Sequence, residues 1–92
     1  MSEQRFNQFV DEVEAAFDQA VMDGSDHELF ISSYLSGHFS LMVARALNSA
    51  EYCLEKLDSA MQQSLTQAFA NRELESADQA QVQALWQKML SK

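Results

Sequence analysis

Apolar residues recur at spacings of three and four in separate stretches of the chain, the period of an amphipathic helix. The first stretch sets Phe6, Phe9, Val10, Val13, Phe17, Ala20 and Val21 on one stripe, with Asp11, Glu14 and Asp18 opposite. It predicts a helix over about 3–22. Asp23 to Glu28 ends it. Gly24 suits a C-terminal turn, and Ser25 with Glu28 three residues on reads as a capping box for the next helix. That second helix is expected over about 26–47. Asn48, Ser49 and Ala50 break the pattern before a third helix, about 50–71, with Cys53, Leu54, Leu57, Met61, Leu65 and Phe69 inward. Asn71 to Glu75 is the next connection. Ser76 with Gln79 repeats the capping signature and opens a fourth helix, about 76–91, with the stripe Val82, Leu85, Trp86, Met89 and Leu90. Short connections favour antiparallel neighbours, so the predicted fold is all-α, an antiparallel four-helix bundle forming one domain over 1–92.

The second helix is the least regular. On a helical wheel Ile31, Tyr34, Leu35, His38, Leu41, Met42 and Arg45 share one side, with His27 in line. Ser32, Ser36 and Ser40 line the opposite side. Between them runs a column of small residues, Ser33, Gly37 and Ala44, bordered by Ser40. A mid-helix glycine costs about 0.5–1 kcal/mol relative to alanine, so Gly37 is expected to mark close packing of a neighbouring backbone. The helix is apolar around most of its circumference, more than one side of a four-helix core requires. Either central burial or a homodimer through the serine and glycine side accounts for that.

Composition supports the helical class. The chain has no proline and only two glycines, so the regular turns of a β-rich fold are missing. Net charge is −8. Residues 1–30 hold eight acids (Glu3, Asp11, Glu12, Glu14, Asp18, Asp23, Asp26 and Glu28) against one base, Arg5. Such a surface repels phosphate backbones and anionic lipid, which argues against nucleic-acid and membrane-surface partners. It reads as a solvated helix face, and if it has a partner a basic one is favoured. The opening MSEQRFNQF has neither the basic nor the apolar region of a signal peptide, and no run approaches the ~20 apolar residues of a membrane span. Cys53 stands alone. A cytoplasmic protein is expected.

Candidate chemistry is sparse. His27 and His38 are eleven residues apart, ~16 Å along one helix, too far to share an ion. His27 falls in the capping segment and is expected to be solvated. Folding about the connections sets His38 level with Asp11 and Asp58, but neither acid faces inward squarely, so no metal site is expected. Arg45, inward near a helix end, is expected to pair with an acid or with the last carbonyls. The same arithmetic sets Cys53 level with Arg45, without a base or oxyanion donor to make a nucleophile. Trp86 on a core stripe reads as packing.

Two stretches, DHELFISSYLSGHFSL at 26–41 and ELESADQAQVQALW at 73–86, resemble the YfcL family of short gammaproteobacterial proteins. The resemblance spans nearly the whole chain and directs attention to Tyr34, Gly37, His38, Asp78, Gln79 and Trp86; His27 departs from the pattern. It implies a bacterial cytoplasmic setting and brings no activity, cofactor or catalytic residue with it. The reading is therefore a small acidic helical protein without a catalytic constellation or cofactor, serving as a protein–protein interaction or structural module. The alternative is a small-ligand or enzymatic site around Tyr34, His38 and Arg45.

Overall fold

Four helices follow one another in the computed structural model, which describes residues 2–91. They are α1 (Glu3–Asp23), α2 (Asp26–Asn48), α3 (Leu54–Ala70) and α4 (Ser76–Leu90), and no strand occurs among the described residues. The all-α, four-helix reading agrees with this. Met1 and Lys92, the ends of the expected 1–92 domain, lie outside the described residues.

The helix starts follow from capping chemistry. Ser2 caps α1, accepting from the Arg5 N–H, and Ser25 caps α2, accepting from the Glu28 N–H at 3.2 Å. In each case a serine oxygen satisfies one of the orphan amides of the first turn. The Glu28 carboxylate takes the Ser25 hydroxyl rather than completing a reciprocal box. The expected box at Ser76 does not form. Glu75 is the cap residue there, and Gln79 instead donates from Nε2 to the Leu74 carbonyl at 2.9 Å, bracing the connection.

The connection between α2 and α3 is longer than expected. α3 begins at Leu54, four residues later than expected, because Ala50 adopts a left-handed conformation with φ of 53°. The Glu51 N–H reaches back to the Ala46 carbonyl at 2.9 Å, closing a Schellman turn that carries the chain away from the helix axis. The end of α3 repeats the device with Arg72 at φ of 60° and Glu73 bonded to the Ala68 carbonyl. Gly24, by contrast, is not left-handed. A Cβ there would lie 2.5 Å from the Ala20 carbonyl oxygen, so close approach is what requires the glycine.

α2 lies at the centre, with its principal packing contacts made to α1, α3 and α4 in turn. Its buried arc is Ile31, Ser32, Leu35, Phe39, Met42 and Val43. That arc is rolled by roughly a fifth of a turn from the expected one. Phe39 and Val43 take the inward positions, Ser32 joins them, and Leu41 and Arg45 are exposed. Bulk decides the roll. The Phe39 ring sits 5.9 Å from those of Phe17 and Trp86 and 6.4 Å from that of Phe9. Such tilted and edge-on pairs contribute about 0.5–1.5 kcal/mol each beyond burial. The inward stripes of the other helices largely hold, with Phe6, Phe9, Val10, Val13, Phe17, Leu57, Met61, Leu65, Val82, Trp86 and Met89 all buried. Val21, expected inside, is 60% exposed. Leu74, expected in a plain connection, is buried and plugs the core from the α3–α4 turn.

The Trp86 indole is fully buried and donates from Nε1 to Asp58 Oδ1 at 2.7 Å. One bond thus satisfies the polar atom of the largest core side chain and ties α4 to α3. Leaving that N–H without a partner would cost about 1–3 kcal/mol.

The turn chemistry makes a paired prediction. Ala50→Gly relieves the left-handed strain and raises unfolding stability by about 0.5–1 kcal/mol, net of the added freedom of the unfolded chain. Gly24→Ala lowers it by about 1–3 kcal/mol, the usual cost of forcing an atom into filled space. Denaturant unfolding followed by circular dichroism measures both.

Candidate functional site

Tyr34, His38 and Arg45 form one row along α2, at helical spacing, on the side that faces α3 and the connection beyond it. His38 is half-buried and its Nδ1 shares a 2.7 Å hydrogen bond with Ser64 Oγ in the middle of α3. The register explains why Ser64, not Asp58, lies opposite. The late start of α3 moves a later residue to the level of His38, and Asp58 is engaged by Trp86. Asp11 is exposed on α1. Neither carboxylate expected beside His38 is its partner.

Tyr34 packs against His38 at a tilt of 43°, with ring centroids 4.9 Å apart, and donates its phenol O–H to Glu73 Oε1 at 3.0 Å. Glu73 is delivered by the left-handed turn at Arg72. Burial, then the hydrogen bond to Glu73 and its negative charge, push the Tyr34 phenol up to about 12. Two hydrogen bonds, Ser64 to His38 and Tyr34 to Glu73, thus flank the Tyr34–His38 ring contact along the outer edge of the α2–α3 contact.

Beside these contacts a cleft of ≈ 500 Å³ opens between α2 and α3, with Arg45, Lys56, Gln63, Ser64 and Gln67 among its lining residues and Met42 and Leu57 beneath. Lys56 is paired with Glu51 at 3.5 Å. Arg45 is exposed and forms no ion pair among the described residues, so the expected inward pairing is replaced by a guanidinium at the cleft wall in the last turn of α2. Cys53 is the half-buried residue preceding α3.

The chemistry of the His38–Ser64 pair is limited by its surroundings. A serine nucleophile needs a base, a group that orients the base, and donors for the oxyanion. Here the nearby carboxylate, Glu73, is bonded to Tyr34. Ser64 lies mid-helix, where the backbone N–H groups are engaged in the helical ladder. The pair joins α2 to α3 across their contact.

His27 is exposed, as expected, and it also has partners. It lies in the first turn of α2 and reaches α4, with Nε2 2.8 Å from Gln81 Oε1 and 3.5 Å from Asp78 Oδ1. Asp78 is thereby a contact that closes the α2–α4 end, while Gln79 braces the turn before α4. Trp86 is core and takes no part in the cleft. Gly37 points outward. A Cβ there would meet nothing within 4 Å, so the close packing expected at Gly37 does not occur among the described residues.

Ser64, Glu73 and Gln81 were not singled out from the sequence. Each is a common polar residue whose role depends on which helix lies opposite. Only the distance across a finished turn reveals that.

The two stretches that resemble a known family now have a structural meaning, one supplying the Tyr34–His38 row and the other Glu73, Asp78 and Trp86. The family model described as YfcL protein matches residues 7–91. The chain belongs to the YfcL family. Its sequence is 33% identical over 82 residues to an Escherichia coli (strain K12) protein described as "Uncharacterized protein YfcL", covering 89% of each chain. No solved structure matches it.

The YfcL fold described here predicts an alkaline titration. The raised Tyr34 pKa means that folding favours the neutral phenol, so its contribution to stability is present below pH 10 and is lost as pH rises toward about 12. Ultraviolet titration of the phenolate should show one tyrosine ionising near the upper value, and Tyr34→Phe should remove that step. A Tyr34→Phe difference titration centred near pH 10 would contradict the Glu73 contact.

Proposed function

We propose that this protein is a single-domain cytoplasmic module for protein–protein interaction, and that the outward face of α2 is its contact surface. The observation that carries this reading is the lack of charge on that face. From Leu29 to Ala44 the helix holds no Asp, Glu, Lys or Arg, in a chain where 22% of residues are charged. Central burial accounts for the inward arc only. Phe30 and Leu41 remain 47% and 50% exposed on the outer side, with Ser33, Gly37, Ser40 and Ala44 exposed beside them. A surface strip depleted of charge and carrying large apolar side chains is the signature of an interface core. The exposed acids of α1 favour a basic rim on whatever docks nearby and disfavour nucleic acid. No described helix is long and apolar enough to cross a membrane.

The cleft beside Arg45 favours a second reading, a small anionic ligand held by the guanidinium. Screening carboxylates and phosphate esters by thermal shift tests it. A saturable stabilisation that disappears in Arg45→Ala supports the reading, and none at millimolar ligand sinks it.

The principal reading is tested by affinity capture from the host with tagged wild type, the double variant Phe30→Lys/Leu41→Lys, and a control, Thr66→Lys, on the exposed side of α3. Proteins held by wild type and control should be lost from the double variant. An unchanged set of captured proteins would contradict an α2 contact surface.

A further inference from the structure

We infer that the cleft between α2 and α3 binds a small free carboxylic acid with an apolar chain, its carboxylate on Arg45 and its chain over Leu41, Met42 and Leu57. This deepens the second reading above, an anion held by the Arg45 guanidinium, and rests on it.

Charge on the cleft wall selects a ligand with a single negative charge. Two cations, Arg45 and Lys56, and one carboxylate, Glu51, line it. Lys56 stands 3.5 Å from Glu51, so that pair is satisfied locally, whereas Arg45 has no ion-pair partner among the described residues. One uncompensated cation balances one anionic group. The chain as a whole carries −8, and that field opposes each further negative charge on a ligand. A carboxylate is therefore preferred to the dianion of a phosphate monoester. A cation in the last turn of α2 serves the helix dipole whatever its shape. The planar fork of Arg45 adds a two-bond fit to a carboxylate that an ammonium lacks.

The rest of the lining accounts for the apolar chain. Leu41, Met42, Ala46, Leu57 and Ala60 share the cleft with Arg45, and Leu41 is 50% exposed. A large side chain left half in water at the edge of a concave surface is stabilised by a ligand that covers it. The volume, ≈ 500 Å³, lies within the range of about 300–1,000 Å³ for small-molecule sites, which combine apolar walls with a few placed polar groups. Ser64 belongs to the α3 wall, and its hydrogen bond to His38 joins that wall to α2. That bond limits the ordering needed when a ligand binds.

Hexanoate is the probe. Proton–nitrogen correlation NMR of the full chain follows its titration against acetate, hexanol and hexyl phosphate, at about pH 7.5 where the phosphate is doubly charged. Hexanoate should saturate with a dissociation constant on the order of 1 mM, its shifts concentrated over residues 41–49 and 56–67. Each buried methylene strengthens binding about fourfold, so acetate should bind at least about tenfold more weakly. Hexanol, which lacks the charge, should also be at least about tenfold weaker. Hexyl phosphate should be weaker than hexanoate. Arg45→Gln should weaken hexanoate by at least about tenfold, and Leu41→Ser should narrow the ratio of hexanoate to acetate binding. Both positions are exposed, and the spectra of the unliganded variants report that they are folded.

Hexanoate binding that survives Arg45→Gln, shifts centred outside the cleft, or no saturation at about 20 mM overturns the proposal. If hexyl phosphate binds more tightly and depends on Arg45, the carboxylic-acid assignment falls and the anion reading stands. If none of these anions shifts the residues around Arg45, both fall. An acetylated dipeptide ending in leucine that displaces hexanoate at lower concentration assigns the carboxylate to a peptide C-terminus and overturns the free acid.

Discussion

The Phe39 ring is the point on which the helices converge. It comes from α2 and meets Phe9 and Phe17 of α1 and Trp86 of α4, while Trp86 is held to α3 through Asp58. Putting Phe39 at the centre fixes the rotation of α2, and that rotation decides everything on its flanks. His38, one residue earlier, is turned to the edge where α3 passes and finds Ser64. Gly37 is turned out to solvent. A helix that packs on three neighbours cannot hide its entire circumference, and the arc left over on α2 is uncharged.

Much of this architecture is legible in the sequence, for a physical reason. In α1, α3 and α4 the apolar residues fall on one stripe with polar residues opposite, so periodicity alone identifies most inward positions. Phe6, Val13, Leu57, Met61, Leu65 and Val82 are all at or near zero exposure. Serine caps mark the start of α2 because a side-chain oxygen meets an orphan amide within three residues. α2 itself is different. Apolar residues surround it, so the stripe has no unique centre, and the arc is settled by the volume of Phe39 among rings from other helices. That is tertiary information.

The site was less legible than the fold. Choosing a partner for His38 requires the length of the α2–α3 turn, and that length depends on a left-handed alanine, a conformation sequence patterns do not signal for a residue other than glycine or asparagine. A few residues of error exchange Asp58 for Ser64 and turn a possible carboxylate–histidine pair into a hydroxyl–histidine one. Tyr34 and His38 do stand together, as their spacing implied. Glu73 and Leu74 were hidden because a connection with no periodicity gives no sign of which side chain turns inward.

The account rests on how α2 is rolled: Phe39 in, Gly37 and Leu41 out. Solvent paramagnetic relaxation measured by NMR on dilute protein tests this directly, since a soluble paramagnetic agent broadens side-chain signals according to their exposure. Strong broadening is predicted for Phe30, Leu41, Ala44 and Leu47, with Ile31, Leu35, Phe39 and Met42 protected. Protection of Leu41 together with broadening of Phe39 would place the opposite arc inside and contradict the structure on which both the His38–Ser64 pair and the contact face depend.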